Sequence, residues 1–240
     1  MVLHAAAVAV GERSIVIAGT KGAGKTSLLM ELLLCRPDVA FVANDRVVID
    51  IEPNLALRGM PTIVTIRSPS ADRLPELHRR LLSARGDHRL TVRELSQSDV
   101  PPRKSAAGLQ LTPAQLCARL DVAMRAQAHP AVVLLPQVCT DSTGAELTPL
   151  SPPAAAARLR TLALGGDRPA LSAVFNLPAK PGLLDRAALD ALCATLARRV
   201  PIFECRLGRD ADRPDVARRL LDQVLAAGAT AAAPARAMAR

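Results

Sequence analysis

Residues 19–27 hold the densest chemistry in the sequence. Gly19-Thr20-Lys21-Gly22-Ala23-Gly24-Lys25-Thr26 is a complete G-x-x-x-x-G-K-[ST] run, followed by Ser27. The chemistry it implies is anion binding: Gly19, Gly22 and Gly24 let the backbone curl round a phosphate and turn its N–H groups inward. A helix starting at the end of the run adds the positive end of its dipole. The pattern assigns Lys25 to the β- and γ-phosphates of a nucleotide and Thr26 to Mg²⁺. The implied ligands are ATP or another nucleoside triphosphate together with Mg²⁺, held by residues 19–27. The run is silent on the reaction, because ATPases, GTPases and kinases share it.

A second chemical group follows at Asn44-Asp45, where the apolar run Val39-Ala40-Phe41-Val42-Ala43 ends. A carboxylate at the end of a buried strand close to a phosphate-binding loop is suited to hold a metal ion or accept a proton. Asp45 is therefore a candidate for both roles. Asn44 beside it cannot act as a base, because an amide has no proton-accepting carboxylate.

The elements that must position these groups can be read from apolar patterning. Ser14-Ile15-Val16-Ile17-Ala18 has buried-strand character, and Ser27 to Leu34 is rich in helix formers, so the glycine-rich run lies between strand and helix. Leu3 to Val10 is also strand-like, and Gly11-Glu12 reads as a tight turn, which predicts a hairpin into the loop strand. Further strands are expected at Val39–Ala43, Val47–Ile51, Thr62–Ile66, Ala131–Leu135, Leu171–Asn176 and Ile202–Arg206. Helices are expected over Ser70–Arg85, from Thr112 to about Gln127, through Leu164 after a Pro/Ala connector at Pro149–Ala157, over Leu183–Arg199 and over Arg213–Ala226. Thr112-Pro113-Ala114-Gln115 carries an N-cap and a first-turn proline. Residues 86–108 lack a period and read as a long loop or lid. Residues 228–240 have no apolar face and read as a disordered Ala/Pro/Arg tail, leaving 1–227 as a single domain.

The 240 residues are enough to bury a full core, and with three Phe and no Trp or Tyr that core must be built from Leu, Val, Ile and Ala. The net charge of +9 favours anionic partners. Its Arg residues are scattered, and stacking residues are scarce, which argues against nucleic acid. Five Cys without a C-x-x-C pair indicate neither a disulfide framework nor a zinc site. No stretch approaches the apolar length of a membrane span, and no signal pattern opens the chain, so a cytoplasmic protein is expected. A homo-oligomer is left open.

The order of these motifs resembles a known family. Val2-Leu3-His4-Ala5-Ala6, the turn, residues 19–26, Val42-Ala43-Asn44-Asp45-Arg46-Val47 and Leu57-Arg58-Gly59 are similar to the C-terminal catalytic domain of HPr kinase/phosphorylase. That domain belongs to the phosphoenolpyruvate-carboxykinase-like group of phosphate-loop folds. The resemblance covers roughly the first 70 residues, and beyond them only the α/β alternation. It implies an α/β fold of this type, with a mixed sheet flanked by helices. It also implies roles for His4 near the transferred phosphate, for Asp45 at the metal and the acceptor, and for Arg58 in stabilising negative charge. Two departures stand out: Asn44 replaces one acid of the family's Asp pair, and Ala56 stands where the family has Glu. With no counterpart of the family's N-terminal domain ahead of the loop, the resemblance implies a stand-alone kinase.

The resulting expectation is ATP-dependent phosphoryl transfer to a hydroxyl of a small molecule, peptide or protein serine, in a biosynthetic setting by analogy. Either Asp45 or His4 takes the acceptor proton. Two other readings stay open: a nucleotide-binding regulator that lost catalysis with Asn44 and Ala56, and a small NTPase acting on an assembly partner.

Overall fold

The computed structural model describes residues 1–51, 53–67, 77, 80, 108–164, 186–208 and 214–237. It is an α/β protein with a mixed sheet flanked by helices. Strand β1 (Val2–Val10) turns at Gly11, whose φ of 59° suits glycine, and returns as β2 (Arg13–Ala18). Val10 opposite Arg13 and Ala5 opposite Ala18 make this the expected hairpin. The glycine-rich loop then leads into α1 (Lys25–Cys35), followed by β3 (Val39–Ala43), β4 (Arg46–Asp50) and β5 (Ala56–Gly59). Strands β6 (Val64–Arg67) and β7 (Gly108–Leu111) form a separate two-stranded sheet before α2 (Pro113–Leu120). The rest is β8 (Gln127–Val138), β9 (Ala145–Pro149), α3 (Pro152–Leu162), β10 (Ala163–Leu164), α4 (Arg186–Arg199), β11 (Ile202–Leu207) and α5 (Pro214–Ala237).

Two strands change partners along their length, and this bends the sheet round the site. The start of β1 pairs with β4 and β10, whereas from Ala5 onward it pairs with β2 and β3. Likewise Gln127 and Ala128 of β8 pair with β5, and the strand then runs parallel to β2 and β11. The path β1-β2-β8-β5-β4 therefore closes on itself, with His4 and Asp45 where β1 passes from one partner to the other. In β8 the register against β2 slips between Ser14 and Ile15, opposite Pro130, which has no N–H to give the ladder.

Period-two alternation divides the core between the faces of the sheet. Ala6, Val8, Ile15, Ile17, Val132 and Leu134 face α1 and α5. Ala5, Ala7, Val16, Val133 and Leu135 face α3 and α4. Strands covered on both sides read as continuous apolar runs, which is why Ser14–Ala18 was legible as a strand.

Several expected boundaries move. Helix α2 stops at Leu120 because Asp121 adopts the left-handed conformation and its N–H bonds the Cys117 carbonyl, so residues 127–138 form a long strand where Gln127 was expected to end the helix. Its start holds: Thr112 and Gln115 form a reciprocal capping box, with Pro113 in the first turn. Strands β5, β7, β9 and β10 were not expected, and β10 takes the end of the helix expected through Leu164. Helix α5 continues past Ala226 to Ala237, into the segment read as a disordered tail, where the alanines favour helix against Gly228 and Pro234. Leu77 and Arg80, within the helix expected over 70–85, are helical. The lid expected at 86–108, apart from Gly108 at the start of β7, and the strand at 171–176 lie outside the described residues. Among the described residues no helix is long and apolar enough to cross a membrane.

Candidate functional site

The glycine-rich loop is held at both ends by the sheet. At its start Gly19 N–H donates to the His4 carbonyl at 3.4 Å. At its end Gly24 caps α1 at φ 95°, and a Cβ there would sit 3.1 Å from Val138 Cγ2 and 3.4 Å from Leu207 Cδ1. A side chain at residue 24 would thus be strained by the backbone and crowded by the ends of β8 and β11. Gly24 offers no capping side chain, so the first-turn N–H groups of α1 keep no partner from a cap. Lys25, Thr26 and Ser27, which carry those groups, line a cavity of about 480 Å³. Backbone donors and a helix dipole aimed into a cavity form an anion site.

Lys25 is only 8% exposed, and its Nζ donates to the carbonyls of Gly19 at 2.8 Å and Thr20 at 2.9 Å. An ammonium has three donors, so one remains for a further partner. Burial holds this ammonium below the ordinary lysine range, opposed by the charge of Asp45. The loop therefore keeps a half-satisfied cation beside its array of N–H groups.

The opposite wall is the corner between β3 and β4. The Asp45 carbonyl accepts from Ala5 N–H at 3.0 Å, which fixes the corner to β1. Gly59 locks it from behind, because a Cβ at that position would overlap the Val42 carbonyl. Here the sequence element Arg58-Gly59 has a packing reason: only glycine lets β5 approach β3 this closely. His4 Nε2 donates to Asp45 Oδ1 at 3.0 Å, and Asp45 Oδ2 lies 3.6 Å from Arg46 Nε. The His4 hydrogen bond is the first cause holding the Asp45 carboxyl below the usual range; burial opposes it, and the charges of His4, Arg46 and Lys25 assist. An ionised carboxylate only accepts, so Nε2 carries the shared proton, and in the neutral ring the lone pair is on Nδ1.

Asn44 completes this wall. It is 9% exposed, and its Oδ1 is buried without a hydrogen-bond partner. A buried carbonyl-type acceptor of that kind costs about 1–3 kcal/mol unless a ligand satisfies it. The Thr26 hydroxyl and the Asp45 carboxylate on the same cavity are oxygen donors, the kind a hard cation such as Mg²⁺ takes. Among the described residues no group of three or more His, Cys, Asp or Glu converges.

His4, Lys21, Gly22, Gly24, Lys25, Thr26, Ser27, Asn44 and Asp45 thus share one cavity. Gly19, Thr20 and Ala23 line a second cavity on the other flank of the loop, and Lys21 and Gly22 line both. Arg58 lines neither: it is 60% exposed, and its Nη2 pairs with Asp50 Oδ2 at 3.2 Å. Two residues that the sequence did not single out join the first cavity, Thr65 at the start of β6 and Ile63 just before it, the latter 54% exposed. Nothing in their local pattern marks them, because only the placement of β6 brings them to the loop. Compared with known proteins, the chain matches no family model and no curated protein.

Proposed function

We propose that the protein is an ATP-dependent kinase of the HPr kinase-like kind, with the corresponding phosphate-loop fold, acting on a hydroxyl of a small molecule, peptide or protein serine. The observation that carries this reading is one cavity holding the Lys25 loop on one wall and the His4–Asp45 pair with Asn44 on the other. Phosphoryl transfer needs little covalent help from a protein; it needs positioning, neutralised charge and a group to receive one proton. This wall-to-wall arrangement supplies each.

Lys25 and the first-turn N–H groups of α1 hold and neutralise the phosphates. Thr26 and Asp45 would hold Mg²⁺, which when bound neutralises the charge on the β- and γ-phosphate oxygens. The acceptor oxygen forms its bond to the γ-phosphorus as the bond to the β-phosphate oxygen breaks, ADP leaves, and the hydroxyl proton goes to the protein. Asp45 Oδ1 is already engaged by His4, which leaves the imidazole Nδ1 as the lone pair for that proton. Asp45 in this arrangement orients the ring, and its second oxygen, shared with Arg46 Nε at 3.6 Å, is the one left for the cation.

The test is incubation with ATP, Mg²⁺ and a panel of hydroxyl acceptors, following both ADP and phosphorylated product. Equal amounts of ADP and phosphorylated acceptor are expected. ADP with free phosphate and no phosphorylated acceptor would replace the kinase by an NTPase. Bound ATP without turnover would replace it by a nucleotide-binding regulator, the reading that the amide at Asn44 favours.

A further inference from the structure

The second cavity, about 470 Å³, lies between the glycine-rich loop, the end of β8 and α3. A cavity of roughly 300–1,000 Å³ accommodates one small ligand, and a kinase reaction requires two substrates at the loop. The groups that the kinase reading assigns to the transferring phosphoryl group and the proton, namely Lys25, Thr26, Asp45 and His4, line the first cavity and not the second. The second is lined by Leu135, Pro136 and Gln137 of β8 and by Arg158, Thr161 and Leu162 of α3. Val138 adds an apolar surface there that is 47% exposed. Apolar side chains beside an amide, a hydroxyl and a guanidinium suit a flat heterocycle with a polar edge.

Resting on the kinase reading above, we propose that this second cavity is the nucleoside subsite of the phosphoryl donor, and that the first is left to the transferring phosphoryl group and the acceptor. Lys21 and Gly22, which line both cavities, form the crossing point for the phosphate chain. The terminal phosphoryl group has to lie against Lys25 and the His4–Asp45 pair, so the other end of the donor leaves across the loop tip. Among the described residues no aromatic side chain lines the cavity, so the ring is held between the Pro136–Val138 edge and the last turn of α3. The rim is already ordered: Arg158 Nη2 donates to Glu204 Oε1 at 2.7 Å, and Thr161 Oγ1 donates to the Arg158 carbonyl at 2.8 Å.

Calorimetric titrations with ATP and with inorganic tripolyphosphate, each with Mg²⁺, separate the nucleoside from the phosphates. Thr161 is exposed on α3, so Thr161→Trp fills the cavity without entering the core. Gln137→Trp does the same from the exposed end of β8. The expected result is that the wild type binds ATP at least about tenfold more tightly than tripolyphosphate, and that either variant loses about tenfold for ATP while keeping its affinity for tripolyphosphate. Wild-type ATP affinity in both folded variants would overturn the assignment. So would an equal loss for both ligands, or a wild type that binds ATP no better than tripolyphosphate. A wild type that binds neither ligand would remove the nucleotide reading itself, and this subsite with it.

Discussion

On one flank of the glycine-rich loop a cavity of about 480 Å³ is lined by the His4–Asp45 pair, Asn44 and the start of α1; on the other, one of about 470 Å³ is lined by the end of β8 and one side of α3. Volume does not distinguish them. The difference is in unsatisfied chemistry: a partly used ammonium and an uncapped first turn of α1 face the first, with an orphaned amide oxygen buried in its wall, whereas Arg158 and Thr161 on the rim of the second are already paired. Low-dielectric polar groups left without partners carry a cost that a ligand can remove. The first flank is therefore where reaction is expected and the second where binding is, and substitutions on each should separate in kind.

The largest effect belongs to the dyad. Asp45→Asn should lower turnover by about a hundredfold or more while nucleotide still binds, because an amide neither neutralises a cation nor orients the histidine by charge. His4→Ala should be comparably severe if Nδ1 takes the acceptor proton, and exogenous imidazole should restore part of the rate. A mild His4→Ala beside a severe Asp45→Asn would move the base to Asp45. Wild-type rates in both would end the catalytic reading of this flank.

Next in size is the corner behind the dyad. Gly59→Ala sets a Cβ against the Val42 carbonyl, so stability should fall by about 1–3 kcal/mol and turnover with it, as the Asn44–Asp45 corner is pushed toward the cavity. Urea denaturation compared with Gly144→Ala checks the steric origin. Gly144 has φ 71°, but a Cβ there would meet nothing within 4 Å, so its loss should reflect backbone strain alone. Equal losses at the two positions would remove the close-approach explanation.

The smallest effect on activity concerns the thiols, none of which lines either cavity. Burial pushes Cys35 and Cys117 up to about 11 and Cys205 up to about 12, and Cys193 is also raised by burial. A thiol-reactive dye at pH 8 should label Cys139, the one half-buried cysteine, in the native protein and the other four only on unfolding. The raised thiols stay protonated when folded after they would ionise unfolded. Stability should accordingly fall as pH rises from about 9 toward 11, by at most about 1.4 kcal/mol per pH unit for each thiol. Rapid native labelling of more than one thiol would show that these sites open to solvent.

Much of the first flank was legible in the sequence because its parts are close together along the chain and each is locally marked. Gly11 needs a positive φ, Ser14–Ala18 is covered on both faces, and the loop glycines are spaced for an anion. The roles of His4 and Asp45 came from the resemblance, and their hydrogen bond was not expected at all, since β1 and the β3–β4 corner meet only through sheet register. Arg58 shows the limit of such a carry-over: its strand is close to the site, yet its side chain pairs with Asp50. The second flank was not legible, because α3 reaches the loop through long-range packing that leaves no periodic mark at Gln137, Arg158 or Thr161. The end of α2 was missed for a local reason: Asp121 in the left-handed region is a cap that composition alone does not announce.

The central claim is that the Lys25 loop holds a nucleoside triphosphate with its terminal group toward the His4–Asp45 pair. Titration calorimetry with ATP and Mg²⁺ on the wild type and Lys25→Ala tests it most directly. One ATP per chain is expected for the wild type and no measurable binding for a folded Lys25→Ala, because removing the ammonium leaves the phosphate charge uncompensated in a site built around it. A wild type that binds neither ATP nor GTP, or a Lys25→Ala variant that binds ATP as the wild type does, would contradict the account.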